Sequence, residues 1–278
     1  MGVFNFHRMR DTCLAGEPHA WRGFIRQYGP LARHLGQHYF PELPAGPFLC
    51  DVFREARAND AALLREFAGS TEGEFLLRFR QWVLTRGRRH RPQPPATPLT
   101  LENFWALLTQ FPPLQREMIL LTFRRYTPEQ IHQIHRFDLE TAQAVLPQVV
   151  TRSRGLLGPA FRDDLMAIDH DALFAQIEQQ RTDNCVPDRT YVRIVDGQIT
   201  WREKENVDVH IDACLYCLAR FADYREVFYF YGKVPPLEVA LADEVAAAVG
   251  LPPEEAERPR GLARLVSLLG LRTRGVSK

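Results

Sequence analysis

The sequence predicts a mainly α-helical protein, and three observations carry that expectation. Apolar residues recur at three- and four-residue intervals along much of the 278-residue chain, the period of a helix with one buried face. The patterned runs are separated by Pro, Gly, Ser and Thr at positions where these residues stop one helix or cap the next. One run carries His210, Cys214 and Cys217 at spacings of four and three, which places three donor side chains near one face of a helix.

Taken in order, residues 1 to about 14 read as an irregular lead-in, with Cys13 an ordinary thiol. From Pro18, the positions Trp21, Phe24, Ile25, Tyr28, Leu31 and Leu35 mark one amphipathic helix, which the Pro41–Pro47 stretch ends. A second pattern runs from Phe48 through Val52, Phe53 and Ala56 to Phe67. Ser70 or Thr71 can cap a third helix that turns Phe75, Leu76, Phe79, Trp82 and Val83 toward the core. Its other side and its end are basic: Arg78, Arg80, Arg86, Arg88, Arg89 and Arg91, with no acid between 78 and 91. Such a strip is the footprint expected for a phosphate backbone, with Trp82 or Phe79 able to stack on a base; the alternative is a solvated face over an aromatic core stripe.

The prolines of 92–98 cannot continue a helix and mark a domain boundary. Thr100 then caps a helix with Phe104, Trp105, Leu107 and Leu108, and Pro112-Pro113 ends it and opens another through Met118, Ile119 and Phe123. Thr127 is placed as a cap with Pro128 in the first turn, followed by Ile131, Ile134, a turn near 136–138 and a helix from Leu139 to about Arg154. Two helices joined by a tight turn fit either a helix-turn-helix or an ordinary helical hairpin, and periodicity does not separate them. Pro147 is expected to kink or end the second helix. Another amphipathic helix is expected between about Arg162 and Arg181, with His170 at its surface. The stripe Phe221, Tyr224, Val227 and Phe228 reads as core, and the tail adds patterns at Leu237–Val249 and Leu262–Leu271.

Composition sets bounds. Forty-five per cent of the residues are apolar, enough for extensive cores, and the net charge of +1 means that any nucleic-acid footprint must be local. Five cysteines over this length make no disulfide framework, so a reducing, cytoplasmic setting is expected. Neither a secretory signal nor a run able to span a bilayer is found, and no membrane association is expected. No enzyme is expected either, since there is no phosphate-cradling glycine loop and no nucleophile with its base.

His210, Cys214 and Cys217 offer the imidazole and thiolate mixture that zinc favours, and a closed tetrahedral site needs a fourth ligand. Cys185, 25 residues before His210, is the candidate. The competing reading is two buried helix cysteines beside an unrelated surface histidine.

With these residues in view, the segment from Cys185 to about Phe230 resembles the zinc-binding anti-sigma domain, in which an upstream Cys or His joins a His-x-x-x-Cys-x-x-Cys helix. Residues 17–91 resemble sigma region 2, with Trp21, Tyr28 and Phe79-Arg80-Gln81-Trp82, and residues 99–157 resemble sigma region 4, with Leu107 to Glu117 and Thr127 to Ile134. The order is that of the small extracytoplasmic-function sigma factors. The resemblance implies a region 2 helical bundle (15–91), a Pro-rich linker (92–99), a region 4 helix-turn-helix domain (100–158), a linker helix (159–183), a small zinc-binding helical domain (184–232) and a helical tail (233–278). It implies Zn2+ on Cys185, His210, Cys214 and Cys217. It also implies DNA contacts from Arg78, Arg80, Trp82, Arg86, Arg88, Arg89, Thr141, Gln143, Arg152 and Arg154, with promoter DNA and the RNA polymerase core as partners. The expected function is a transcription regulator whose sigma-like half is controlled in cis by the anti-sigma-like half, with the zinc thiolates either purely structural or a redox trigger. The chain departs from the family pattern at Asp51 to Glu55 and at Gln143 to Pro147, and the alternative is a degenerate sigma relative acting as a protein-interaction scaffold without promoter recognition.

Overall fold

The computed structural model describes residues 5–91, 99–135, 138–157 and 170–254. Within them the chain forms thirteen α-helices and no strand. The first, α1 (Phe6–Leu14), lies where the sequence reading expected an irregular lead-in. Asn5 caps it by accepting from the Arg8 amide at 3.1 Å. Phe6 and Cys13, seven residues apart, fall on one face and are buried, and burial pushes the Cys13 thiol up to about 12. Trp21 Nε1 donates to the Cys13 carbonyl at 3.0 Å, which ties α1 to the next helix. Two buried residues in nine are too few to show as a period, and for that reason the sequence reading missed this helix.

Helices α2 (Pro18–Tyr39), α3 (Ala45–Arg65) and α4 (Glu72–Arg89) pack together with α1. Their core is aromatic: Phe24, Tyr28, Phe53, Phe75 and Phe79 are fully buried, with ring centroids 4.8–6.2 Å apart in edge-on and tilted pairs and one stacked pair, Phe75–Phe79. Thr71 caps α4 through a reciprocal box with Glu74, as expected from the sequence. Within α3 the backbone breaks at 58–61, where Asn59, Asp60 and Ala61 take positive φ.

Beyond the proline-rich stretch, α5 (Leu101–Leu108) carries its Thr100 cap and α6 (Pro113–Phe123) starts on Pro113. Helix α7 (Pro128–His135) begins at Thr127, whose hydroxyl accepts from the Gln130 amide while the Gln130 side chain accepts from the Thr127 amide. Helix α8 (Leu139–Leu157) follows and runs past Pro147. A mid-helix proline forfeits one backbone hydrogen bond, and the buried Val145 and Val149 hold the flanking turns on the core. The turn at 136–137, residues 162–169 of the expected Arg162–Arg181 helix and the Leu262–Leu271 segment lie outside the described residues; the rest of the expected helix is seen as α9 (His170–Glu178).

The last part comprises α10 (Asp188–Val195), α11 (Trp201–Ala213), α12 (Leu215–Tyr231) and α13 (Val239–Ala248). Helix α12 is the hub. It packs on α2 and α4 on one side and on α6 and α7 on another, and it also meets α9, α10 and α11. Accordingly, its buried residues, from Tyr216 and Cys217 to Val227 and Phe230, go round the helix rather than along one stripe. Helix α13 covers α2 and α3: Leu237 lies so close to Gly29 that a Cβ there would meet its Cδ1 at 2.5 Å, and Arg33 reaches Glu238 at 2.9 Å. No described helix is long and apolar enough to cross a membrane.

Candidate metal centre and the charge clamp behind it

Cys185, His210, Cys214 and Cys217 converge, with one donor atom from each lying within 4.8 Å of the others. Three elements bring them together. Cys185 sits in the loop between α9 and α10, where the Thr182 amide approaches its Sγ at 3.3 Å. His210 is in the last turn of α11, and its Nε2 lies 3.2 Å from Cys217 Sγ. Cys217 is in the first turn of α12, fully buried, with the Val186 amide 3.3 Å from its sulfur. Cys185 and Cys214 present their sulfurs 4.0 Å apart.

The sequence reading placed His210, Cys214 and Cys217 on one continuous helix; the chain instead breaks at Cys214, which is extended (φ −126°, ψ 109°) between α11 and α12. The reason is geometric. On a straight helix, residues seven apart are separated by about 10.5 Å of rise, too far for a Cys and a His to share an ion unless the chain turns back. The break at Cys214 supplies that turn.

The donor set fits a metal ion of the zinc type. Tetrahedral Zn–S and Zn–N bonds imply edges of about 3.6–3.8 Å, near the 3.2 and 4.0 Å separations. Burial raises the Cys185 thiol, but hydrogen bonds from the Thr182 amide and hydroxyl, together with Cys217 and Cys214, bring it below its ordinary value. Burial pushes the Cys217 thiol up to about 12, so a divalent cation would be its natural counter-charge. Amide donors to sulfur at Thr182 and Val186 are the outer hydrogen bonds that orient such ligands.

Two turns along α12 from Cys217 lies a feature the sequence reading did not find. Asp223 and Glu226, three apart on the same helix, enter a buried nest of positive charge. Glu226 is fully buried and takes Arg80 of α4 through Nη2 at 2.9 Å and Nε at 3.2 Å. It also accepts from the hydroxyls of Tyr39 at 3.0 Å and Tyr126 at 2.7 Å. Asp223 lies 2.9 Å from Arg80 and 2.6 Å from Arg124, the residue that follows α6. Arg124 also donates to the Ala219 carbonyl at 3.1 Å. Burial alone would raise the Glu226 carboxyl; Arg80, Arg124 and the Tyr126 hydroxyl together bring it below its ordinary value. One helix thus fastens α4 on one side and the end of α6 on the other. The signal was present in the sequence: two acids inside an otherwise apolar stripe require buried partners.

The residues expected to meet DNA are distributed unevenly. Arg80 is 4% exposed and belongs to this clamp. Arg86 is also buried, stacked 3.7 Å over Trp82 and paired with Glu55, which also takes Arg89 at 3.2 Å. Arg78 lies 3.8 Å from Glu66, and Arg88 lies 3.6 Å from Glu178. Near α8, Thr141 is exposed and tied to Asp138 at 3.1 Å, Gln143 and Arg154 are exposed, and Arg152 lies 4.1 Å over the Phe111 ring. The structure therefore does not bring these residues onto one open surface.

A second buried acid, Glu117 on α6, sits 3.2 Å from Arg225 and 3.3 Å from His135. Burial outweighs the Arg225 charge and pushes its carboxyl up to about 7, and burial also lowers the His135 imidazole to about 3.

Fold and centre define a class: a helical protein with a Cys3His group that could hold a metal ion. No protein-family model, curated protein or solved structure matches the chain.

Proposed function

We propose that this chain is a cytoplasmic transcription regulator of the sigma-factor type, in which residues 17–157 recognise the RNA polymerase core and promoter DNA and the Cys3His segment keeps them closed in cis, with zinc as the metal. The observation that carries this reading is the course of α12. Its first turn holds Cys217, and its Asp223 and Glu226 pin Arg80 and Arg124, one from each sigma-like half. Arg80 would be needed on a phosphate backbone, and in this arrangement it is occupied by carboxylates. Because inhibitor and target share one chain, the effective concentration of the inhibitor is high and closure is the default. Zinc, when bound, would cross-link the Cys185 loop, the end of α11 and the start of α12, and so set the position of the clamp.

The competing scaffold reading draws on one observation: Asp51 and Glu55, where the chain departs from the family pattern, are engaged internally by His90 at 2.8 Å and by Arg86 and Arg89. The experiment is retention on immobilised core RNA polymerase of the wild-type chain and of an Asp223→Asn/Glu226→Gln variant. The regulator reading expects the variant to be retained and the wild type not. Retention of neither supports the scaffold, and equal retention of both removes the claim of closure in cis.

A further inference from the structure

A cavity of about 90 Å3 opens where α4, α9 and α12 meet, and five guanidinium groups line it: Arg80, Arg88, Arg124, Arg181 and Arg220. Only two acids, Glu178 and Asp223, share the lining. The arginines are not equally satisfied. Arg220 is held by Asp188 through two bonds of 2.9 and 2.8 Å, and Arg80 by Asp223 and Glu226. Arg124 keeps a buried Nη1 with no hydrogen-bond acceptor within the protein; the Glu226 carboxylate stands 3.7 Å from it. The Arg88 Nε is likewise buried without an acceptor, and its Nη1 stands 3.6 Å from Glu178. Arg181 makes no ion pair among the described residues. Two guanidinium groups, of Arg88 and Arg124, thus keep buried donors unfilled around one space, and the exposed Arg181 lines the same space without an ion pair.

Buried donors without acceptors are costly, and a charged guanidinium more so. Arginine forks match the paired oxygens of phosphate and carboxylate groups. A cavity of this volume has room for a compact oxyanion. From these observations we infer that the cavity is a binding site for a small polyanion of the phosphate class, held by Arg88, Arg124 and Arg181. An oxyanion there touches α4, the end of α6 and the loop after α9 at once, and so tightens the packing of those elements around α12. The site itself does not depend on the regulator reading; any consequence for polymerase or DNA binding rests on that reading.

The test is calorimetric titration of the full chain with inorganic pyrophosphate at constant ionic strength, for wild type, Arg88→Ala and Arg181→Ala, with thermal melts in parallel. The expected result is saturable one-to-one binding that raises the wild-type melting temperature and weakens at least tenfold in each variant. Arg181 is exposed, so its variant reports on binding rather than on folding. Absence of saturable binding overturns the proposal, as does binding that neither substitution changes. Binding of succinate at equal strength overturns the assignment to phosphate.

Discussion

The start and the middle of α12 hold their neighbours by different chemistry. At its start the partners are near in sequence: Cys185, His210, Cys214 and Cys217 come from 33 consecutive residues, 185–217, and draw together around a position where an ion fits. Two turns on, Asp223 and Glu226 find Arg80 and Arg124, which lie far back in the chain and reach them only when α4 and α6 are already placed. The first is a group that could hold a metal ion. The second depends on the fold being finished, and it has no tolerance for an unmatched charge. The comparison teaches that a local cross-link and a long-range clamp can share one rigid helix, so that a disturbance at either place bears on the other.

The comparison breaks most sharply at Glu226. Replacing Glu226 by Ala leaves Arg80 and Arg124 buried with Asp223 as the one carboxylate between them, at 2.9 and 2.6 Å, and the expected loss from the uncompensated charge is about 3–5 kcal/mol in urea denaturation. Near the metal end, Lys204 pairs with Asp208 at 2.5 Å with both side chains nearly half exposed. There Lys204→Ala is expected to cost no more than about 0.5 kcal/mol. Similar losses for the two variants would mean that the buried clamp carries no special weight.

A second pair of sites sharpens the lesson about buried acids. Glu226 has two arginines and is charged; Glu117 has one partly exposed arginine, and its carboxyl is pushed up to about 7 from an ordinary 4.5. The folded chain therefore binds a proton that the unfolded chain has released. That contribution to stability is fully present below pH 4.5 and is lost as the pH rises through 7. Glu117→Gln imitates the protonated form, so its stability relative to wild type should grow by up to about 3 kcal/mol between pH 4.5 and 8. His135 works in the opposite direction: its contribution is lost as the pH falls from 6.5 toward about 3. Because His135 lies 3.3 Å from Glu117, the comparison is repeated in a His135→Gln background to remove its part. A stability difference that does not change with pH would show that Glu117 is charged throughout.

The helices that announced themselves in the sequence were those with a sharp cap and a strong period: α2, α4 behind Thr71, α5 behind Thr100 and α7 behind Thr127. All four candidate ligands were legible because Cys and His are rare enough for their spacing to matter. The break at Cys214 was not, since nothing in Ala213-Cys214-Leu215 stops a helix by itself; the turn only makes sense once the four donors are in one place. Arg80 shows why charge patterns mislead. It looked like part of a solvent-facing basic strip, yet Leu76, Val83 and Gly87, its neighbours four, three and seven residues away, are all buried. Helical spacing therefore put Arg80 on the core face, and only its acidic partners, 143 and 146 residues later, were out of local view. The break in α3 at 58–61 carries neither Gly nor Pro; its one local signal is Asn59-Asp60, residue types that adopt positive φ more readily than other side chains do.

The central claim is that the Cys3His start and the clamped middle of α12 act as one unit. Its most direct test is retention of the chain on core RNA polymerase as a function of metal occupancy, with zinc removed stepwise by a chelator and then restored. The account predicts that the zinc-loaded chain is not retained, that retention rises in proportion to zinc lost, and that restoring zinc reverses it. Retention that stays the same from full occupancy to complete loss would contradict it.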